Sequence, residues 1–342
     1  MASKLTFKGQ LAQELVEKFP ETAKKNKSSL ARILYRENIE VYKDFEEARI
    51  FIRRICGSAG DKERGARGRA TGQVLEKPVV DYNPYRLPVS HAEDWPAYVI
   101  PTNINNVLNL SDIHAPYHDV RAITAAIQYG KEREVNGIIL NGDFMDHHTL
   151  SKYQTNPKKK KFHEELEIGK ELLEKIKNVL PNAMLYFKLG NHDVRYDNYM
   201  IVKAPELLGV KQFEYFAMLG LDELRAEGIT DKRMIQLGDL NILHGHEFQG
   251  AVGQQISPAK GVFDRATEDV IIGHVHKTSV FKKRTLTGKT ITCRSTGCLS
   301  ELHPDFAVIN QWNLGFAHHT ISGGITTTLN YEIDRHTYKL SL

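Results

Sequence analysis

Five short apolar runs in this chain end in the same way. "VLNL" leads into "SDIH", with Asp112 and His114, and "GIIL" into "NGDFMDHH", with Asp143 and Asp146. "LYFKL" leads into "GNHD", with Asn191, His192 and Asp193. "LNIL" leads into "HGHE", with His244 and His246, and "DVII" into "GHVH", with His274 and His276. The apolar runs read as strands. Two segments of helical period, "DVRAITAAIQYGKEREV" and "HEELEIGKELLEKIKNVL", separate the first three of them. That rhythm predicts βαβ units and a mainly parallel sheet. In an open α/β sheet, ligands gather outside the carboxyl ends of the strands. One Asp-x-His alone means little, but five such bursts in this order are hard to explain as solvated loops.

Later segments read as hairpins instead. "MIQLGDLNILHG" has a Gly-Asp turn, "FKKRTLTGKTITCRS" a Thr-Gly-Lys turn, and "FAHHTISGGITTTLNYEI" turns at Gly323-Gly324. The domain therefore mixes parallel and antiparallel strands.

This series of motifs resembles the calcineurin-like metallophosphoesterase superfamily. Its pattern is DxH, GDxxD, GNH[DE], a lone His that is often H-G, and GHxH, and every element stands here between Asp112 and His276. The resemblance implies an α/β fold, a four-layer α/β/β/α sandwich, holding two divalent metal ions. It implies that Asp143 bridges them, that one takes Asp112, His114 and His276, and that the other takes Asn191, His244 and His274. Mixed imidazole and carboxylate ligands suit Mn, Fe, Zn or Ni and do not distinguish them; Mn is the expected pair, with Fe, Zn or Ni as alternatives. A hydroxide held between the metals would attack the phosphorus in line. His192 would stabilise the transition state or protonate the leaving oxygen, oriented by Asp146. The chain departs from phosphoprotein phosphatases in one respect. They carry Arg directly after GDxxD as part of a phosphate clamp, where this chain has His147; Arg195 is the candidate substitute. His246 reads as a support to the ligands, and His147, His148, His318 and His319 as polar loop or strand residues.

The chain has 342 residues, long for one domain. Three parts are expected: a helical domain at 1–56, a Gly/Arg-rich and then Pro-rich linker at 57–102, and the phosphoesterase domain at 103–342. Residues 1–70 hold 16 Lys/Arg against 10 Asp/Glu, so the net charge of +4 belongs to this end. Its three predicted helices are "KGQLAQELVEKF" with Leu11, Leu15 and Phe19 at helical spacing, "SSLARILYRE" with Ser28 or Ser29 as N-cap, and "DFEEARIFIRRI". They form a small all-α, helix-turn-helix-like unit, either a nucleic-acid binder or a protein-docking module. Arg64, Arg67 and Arg69 could touch phosphates or keep a tether soluble.

No run of 18 apolar residues, no signal-peptide pattern and only Cys56, Cys293 and Cys298 point to a cytoplasmic protein without membrane contact. The basic run Lys158, Lys159, Lys160 and Lys161 begins near the second motif and could guide a polyanion. The resulting expectation is a phosphodiesterase or nuclease acting on nucleic acid or nucleotides. The alternatives are a phosphomonoesterase for nucleotides or phosphoproteins and a DNA-binding or scaffold protein on a phosphoesterase fold. Fusion of such a helical head to a metallophosphoesterase also resembles proteins of bacteriophages and prophages.

Overall fold

The computed structural model describes residues 6–56, 83, 85–88, 90–152, 161–248, 256–304 and 307–342. The chain forms two compact units, Met1–His91 and Ala92–Leu342.

The first unit is helical, with α1 (Phe7–Lys18), α2 (Pro20–Lys25), α3 (Lys27–Glu37) and α4 (Phe45–Cys56). Three helices were expected among these residues, and α2 is the addition. Pro20 suits the first turn of a helix, where its missing N–H is no loss. Asn26, not Ser28 or Ser29, caps α3, its side chain accepting from the Ser29 N–H at 3.1 Å. Phe19 lies outside α1 and is exposed, so it does not share the buried stripe of Ala12 and Leu15. Leu30, Leu34, Tyr42, Ala48 and Ile52 complete the core.

The second unit begins ahead of the boundary expected at residue 103. Its first strand, β1 (Tyr98–Val99), pairs in parallel with β6 (Ile235–Leu237). One sheet of seven strands is built on β2 (Asn106–Leu110), β3 (Gly137–Asn141), β4 (Met184–Lys188) and β5 (Glu227–Ile229), all parallel. Antiparallel β11 (Leu314–Ser322), β12 (Ile325–Ile333) and β13 (Leu340–Ser341) extend it beyond β2. The other sheet has six strands in the order β1-β6-β7-β8-β10-β9, adding β7 (Leu240–Leu243), β8 (Val270–Ile272), β9 (Ser279–Arg284) and β10 (Thr290–Ser295). All three hairpins expected from the sequence form, and Gly238, Gly323 and Gly324 take positive φ in their turns.

The layers follow from the two-residue period of a strand. In β3, Ile138 and Leu140 face one core while Ile139 faces another. In β4, Leu185 and Phe187 share the first core and Tyr186 the second. The first core is covered by α5 (Val120–Glu132) and α6 (Phe162–Val179) through Ala122, Ala126, Leu173 and Ile176. The second lies between the sheets, where Ile139 and Tyr186 meet Leu237, Ile242 and Ile271. In β8, Val270 and Ile272 turn away from it, toward Ala259 and Val262 of α9 (Pro258–Ala266). Helix, sheet, sheet and helix are therefore stacked, and strands buried on both faces explain the unbroken apolar runs. Between the sheets, His319 is also buried, its Nε2 3.2 Å from Asn109 Nδ2, so it is a core residue and not a solvated one. No helix among the described residues is long and apolar enough to cross a membrane.

Phe316 in β11 is fully buried against Tyr129 and Tyr331, far along the chain from the histidine motifs. Phe316→Ala should destabilise the second unit by about 3–5 kcal/mol, read from its denaturant midpoint. A cost below about 1 kcal/mol would mean that β11 does not hold this core.

Candidate functional site

The polar bursts lie where the strands stop. The ladder between β2 and β3 runs on past their ends, with Asp112 N donating to Gly142 O at 3.1 Å and His114 N to Asp143 O at 2.9 Å. Asp112, His114, Asp143, His274 and His276 take φ of 56°, 51°, 50°, 64° and 54°. This left-handed region is open to Asp and His more than to most side chains, yet costs on the order of 1–3 kcal/mol per residue. It turns one side chain after another away from the strand direction. Two glycines allow the close approach that results. A Cβ on Gly142, whose φ is 83°, would strike the His244 ring. One on Gly190 would strike the backbone nitrogen and Oδ1 of Asp143.

Three overlapping groups of potential ligands converge among the described residues, one of them His114, Asp143 and His192. Asp112, His114 and His276 each bring one donor atom within 4.8 Å of the others, and so do Asp143, His244 and His274. In the first, His276 Nε2 is 3.1 Å from Asp112 Oδ1 and 3.3 Å from His114 Nε2. Asp143 lies between the groups, its Oδ2 3.2 Å from His244 Nε2 and 3.8 Å from His114 Nε2. Asn191 follows Gly190, which packs on Asp143. The first group comes from the ends of β2 and β8, and the second from β3, β7 and β8, so both sheets contribute.

The electrostatics suit cations. Burial opposes ionisation of Asp143, but His244, His192 and His114 hold its carboxyl well below the usual range. Burial likewise opposes ionisation of Asp112, and His276 overcomes it. Burial would lower His244, but the charge of Asp143 lifts it to about 10. His276 is raised well above its ordinary value by Asp112 against the same penalty of burial. Burial and the charge of His244 push His274 down to about 4, and burial and His192 lower His114. A cation at each group would replace the protons as partner to the carboxylates. Two further features fit that reading. Asn191 Oδ1 is buried without a hydrogen bond. The ring nitrogens of His114 and His276 face each other, as two ligands of one ion would.

Beside these groups stands His192. Its Nδ1 lies 2.9 Å from the Asp146 carbonyl and 3.2 Å from Asp146 Oδ1. The same Oδ1 is 3.1 Å from His114 Nδ1, so Asp146 orients both a potential ligand and His192. Burial disfavours a charge on His192, yet Asp143 and Asp146 raise its pKa. Arg195 opens α7 (Arg195–Lys203), donates from Nη1 to the Asp146 carbonyl at 2.8 Å, and brings Nη2 to 3.0 Å from His192 Nε2. His147 points away. It is fully buried, 2.8 Å from the Tyr215 hydroxyl, and burial lowers its pKa to about 4.

Other buried groups position these loops. Asp193 is buried and accepts from the backbone of Gly190 and Met145 at 2.9 and 3.1 Å, with the Tyr215 hydroxyl at 3.2 Å, tying "GNHD" to "GDFMD". Lys188, fully buried at the end of β4, meets Glu247 Oε1 at 2.9 Å. Glu247 accepts from the backbone of His244 and Gly245 at 3.1 and 2.6 Å. Despite burial, Lys188 brings its carboxyl down to about 2. A lysine inside the strand "LYFKL" was the available signal.

His246 packs near the His244 and His274 rings, with Nδ1 3.6 Å from Glu247 Oε2, and belongs to neither ligand group. Lys161 is the exposed N-cap of α6; Lys158, Lys159 and Lys160, with Arg64, Arg67 and Arg69, lie outside the described residues. A groove of about 790 Å³ opens beside Asn191 and Arg195, and Lys161 does not line it. Cys293 and Cys298 are buried thiols; Cys298 hydrogen-bonds to His276 of the first group, and Cys293 belongs to neither group.

Residues 106–280 match the model of the Calcineurin-like phosphoesterase family, about half of the chain. The Gene 54 protein of Mycobacterium phage L5 is 26% identical over 232 residues, 64% of this chain and 89% of the phage protein. Among solved structures, wild-type Vps29 from Entamoeba histolytica complexed with zinc aligns at 14% identity over 69% of this chain and 97% of its own, with a TM-score of 0.38. YfcE, a phosphoesterase from E. coli, aligns at 14% identity over 66% of this chain and 98% of its own, with a TM-score of 0.33. The motifs, the layered sheets and the family match agree, and the chain belongs to the calcineurin-like phosphoesterase family.

Proposed function

We propose that this protein is a two-metal phosphodiesterase acting on nucleic acid or nucleotides. The observation that carries the reading is the convergence of Asp112, His114 and His276 with Asp143, His244 and His274 beside His192 and Arg195. Asp112, His114 and His276 would hold one ion, Asn191, His244 and His274 the other, and Asp143 both. When bound, the pair supplies Lewis acidity to the phosphoryl oxygens and lowers the pKa of water.

The chain's own residues supply the rest. His192 keeps Nδ1 toward Asp146 and Nε2 against Arg195 Nη2 at 3.0 Å, so a substrate oxygen reaching Nε2 would take the place of that contact. Its raised pKa favours the protonated ring, able to donate to a phosphoryl or leaving oxygen. Arg195 aims a second donor at the same point. An anionic oxygen there would accept from both, which makes Arg195 the phosphate-binding cation in place of an Arg after GDxxD. His147, held on Tyr215, takes no part. With one clamping arginine, a singly charged diester fits better than a terminal phosphate. In the first unit, Lys27, Arg32 and Arg36 on α3 and Arg53 and Arg54 on α4 are exposed, which supports a nucleic-acid tether. Buried, unpaired Cys293 and Cys298 support a cytoplasmic setting.

Saturating Mn²⁺ should load two ions per chain, by elemental analysis. Because the charge of Asp143 raises the pKa of His244, loading near pH 7 should release protons. Calorimetry in buffers of different ionisation enthalpy reads this directly; a single ion, or no proton release, would contradict the ligand assignment.

His192→Ala should cut kcat by about 10²–10⁴-fold while both ions stay bound. Asp146→Asn should cut kcat and also weaken metal binding by about 10–100-fold, since it leaves His114 without its partner. Full turnover in His192→Ala would remove that residue from the chemistry.

The test of substrate class is a panel with Mn²⁺. Bis-p-nitrophenyl phosphate should be turned over with higher kcat/KM than p-nitrophenyl phosphate, and a tenfold advantage for the monoester would favour a phosphatase. Removing the first unit should spare chromogenic turnover and weaken binding of long nucleic acid, whose affinity in the full chain should fall steeply with salt. Salt-independent binding would point to a protein partner for that unit.

A further inference from the structure

The groove beside Asn191 and Arg195 runs along α7, and the sequence of this helix separates two faces. Tyr196 and Met200 turn into the core. Arg195, Tyr199, Val202 and Lys203 line the groove, at the spacing of one exposed helical stripe. Tyr199 and Val202 are exposed, although large apolar side chains gain by burial. Lys152 lines the groove as well, and among the described residues that line it none is a carboxylate. The surface therefore offers three cations, an aromatic ring and apolar area, in a channel that opens from the phosphate site.

Whatever is esterified to a phosphate at Asn191 and Arg195 can continue into this groove. Arg195 and Lys203 are separated by about 12 Å along the helix axis at 1.5 Å per residue. That spacing suits a second anionic group further along the same ligand. Tyr199, one turn from Arg195, lies between the two cations and presents a ring to a planar group. Phosphate, planar group and phosphate in succession describe a nucleotide chain. Stacking on a tyrosine needs a base that is not already stacked in a duplex, and base–aromatic stacking contributes about 1–3 kcal/mol per base.

We infer that the α7 groove is a subsite for single-stranded nucleic acid, with a base on Tyr199 and the neighbouring phosphate held by Lys203 and Lys152. This rests on the phosphodiesterase reading of the adjacent site. It adds three residues that no motif marks, and it predicts that affinity for a strand is set on a helix face that holds none of the metal ligands. An acidic peptide would also find the cations, but it has no use for a ring between them.

The test uses the full chain and fluorescence anisotropy with labelled pentanucleotides, one of DNA and one of RNA, in EDTA so that binding is read without turnover. Tyr199→Ala and Lys203→Glu should each weaken binding of a pentanucleotide about tenfold. Lys131→Glu makes the same charge change on α5 and should leave it within twofold; an equal loss there would make the effect of Lys203→Glu one of overall charge. The DNA and RNA arms identify which strand the groove prefers. Affinities within twofold of the unaltered protein for both Tyr199→Ala and Lys203→Glu would overturn the proposal. Chromogenic turnover, measured separately with Mn²⁺, keeps the two readings apart. Turnover with no role for Tyr199 or Lys203 removes the groove subsite alone. Strand binding that depends on both, without turnover of any ester, leaves the subsite standing and removes the phosphodiesterase reading.

Discussion

Two ionised carboxylates buried side by side dominate the second unit. Asp112 and Asp143 are almost wholly shielded from water, where an isolated charge is strongly disfavoured. They remain ionised because imidazoles crowd them, and those imidazoles can carry either protons or metal. Much of the surrounding geometry follows from this demand. Left-handed backbone at five of the ligand residues brings the donors inward. Glycines at 142 and 190 let the loops approach more closely than any Cβ would permit. The strain falls where each loop leaves the carboxyl end of a buried strand, whose ladder bonds hold the start of the loop in place.

A second tier of buried groups holds those loops in register. Asp193 bridges the ends of β3 and β4 through backbone N–H groups, and Lys188 with Glu247 joins the end of β4 to that of β7. Buried ion pairs often contribute little net stability, because desolvation offsets their attraction. Here the pair spans the two sheets, and its carboxylate accepts two consecutive N–H groups at His244 and Gly245. Its use is positional: it keeps the His244 ring where Asp143 can reach it.

The parallel βαβ start, the hairpins and the positions of the Asp and His bursts at strand ends were legible because strand period and motif spacing are local properties of sequence. "GIIL" followed by "NGD" carries its own register, and the glycine precedes the ligand for a steric reason visible in the structure. What escaped was non-local. The burial of His147 depends on Tyr215, which is 68 residues away. Nothing near Asp146 reveals that its carboxylate serves His114 as well as His192. β1 escaped for another reason: two residues at a sheet edge carry no period, and the prolines around them read as linker. In the first unit, the turn made by Pro20 and Asn26 produced a helix too short for periodicity to reveal.

The division of α7 into two faces has a further consequence. Its buried face, through Tyr196 and Met200, belongs to the core that supports the ligand loops. Its exposed face holds none of the candidate ligands, and among the described residues Arg195 both contacts His192 and belongs to the groove's cationic stripe. Substitutions along Tyr199, Val202 and Lys203 can therefore change what enters the groove without moving Asp143 or His192. A family whose chemistry is set by buried strand ends can in this way vary its substrates on one helix. The constraint falls on Arg195, which must answer to both, since its Nη1 is tied to the Asp146 carbonyl while its Nη2 faces His192 Nε2.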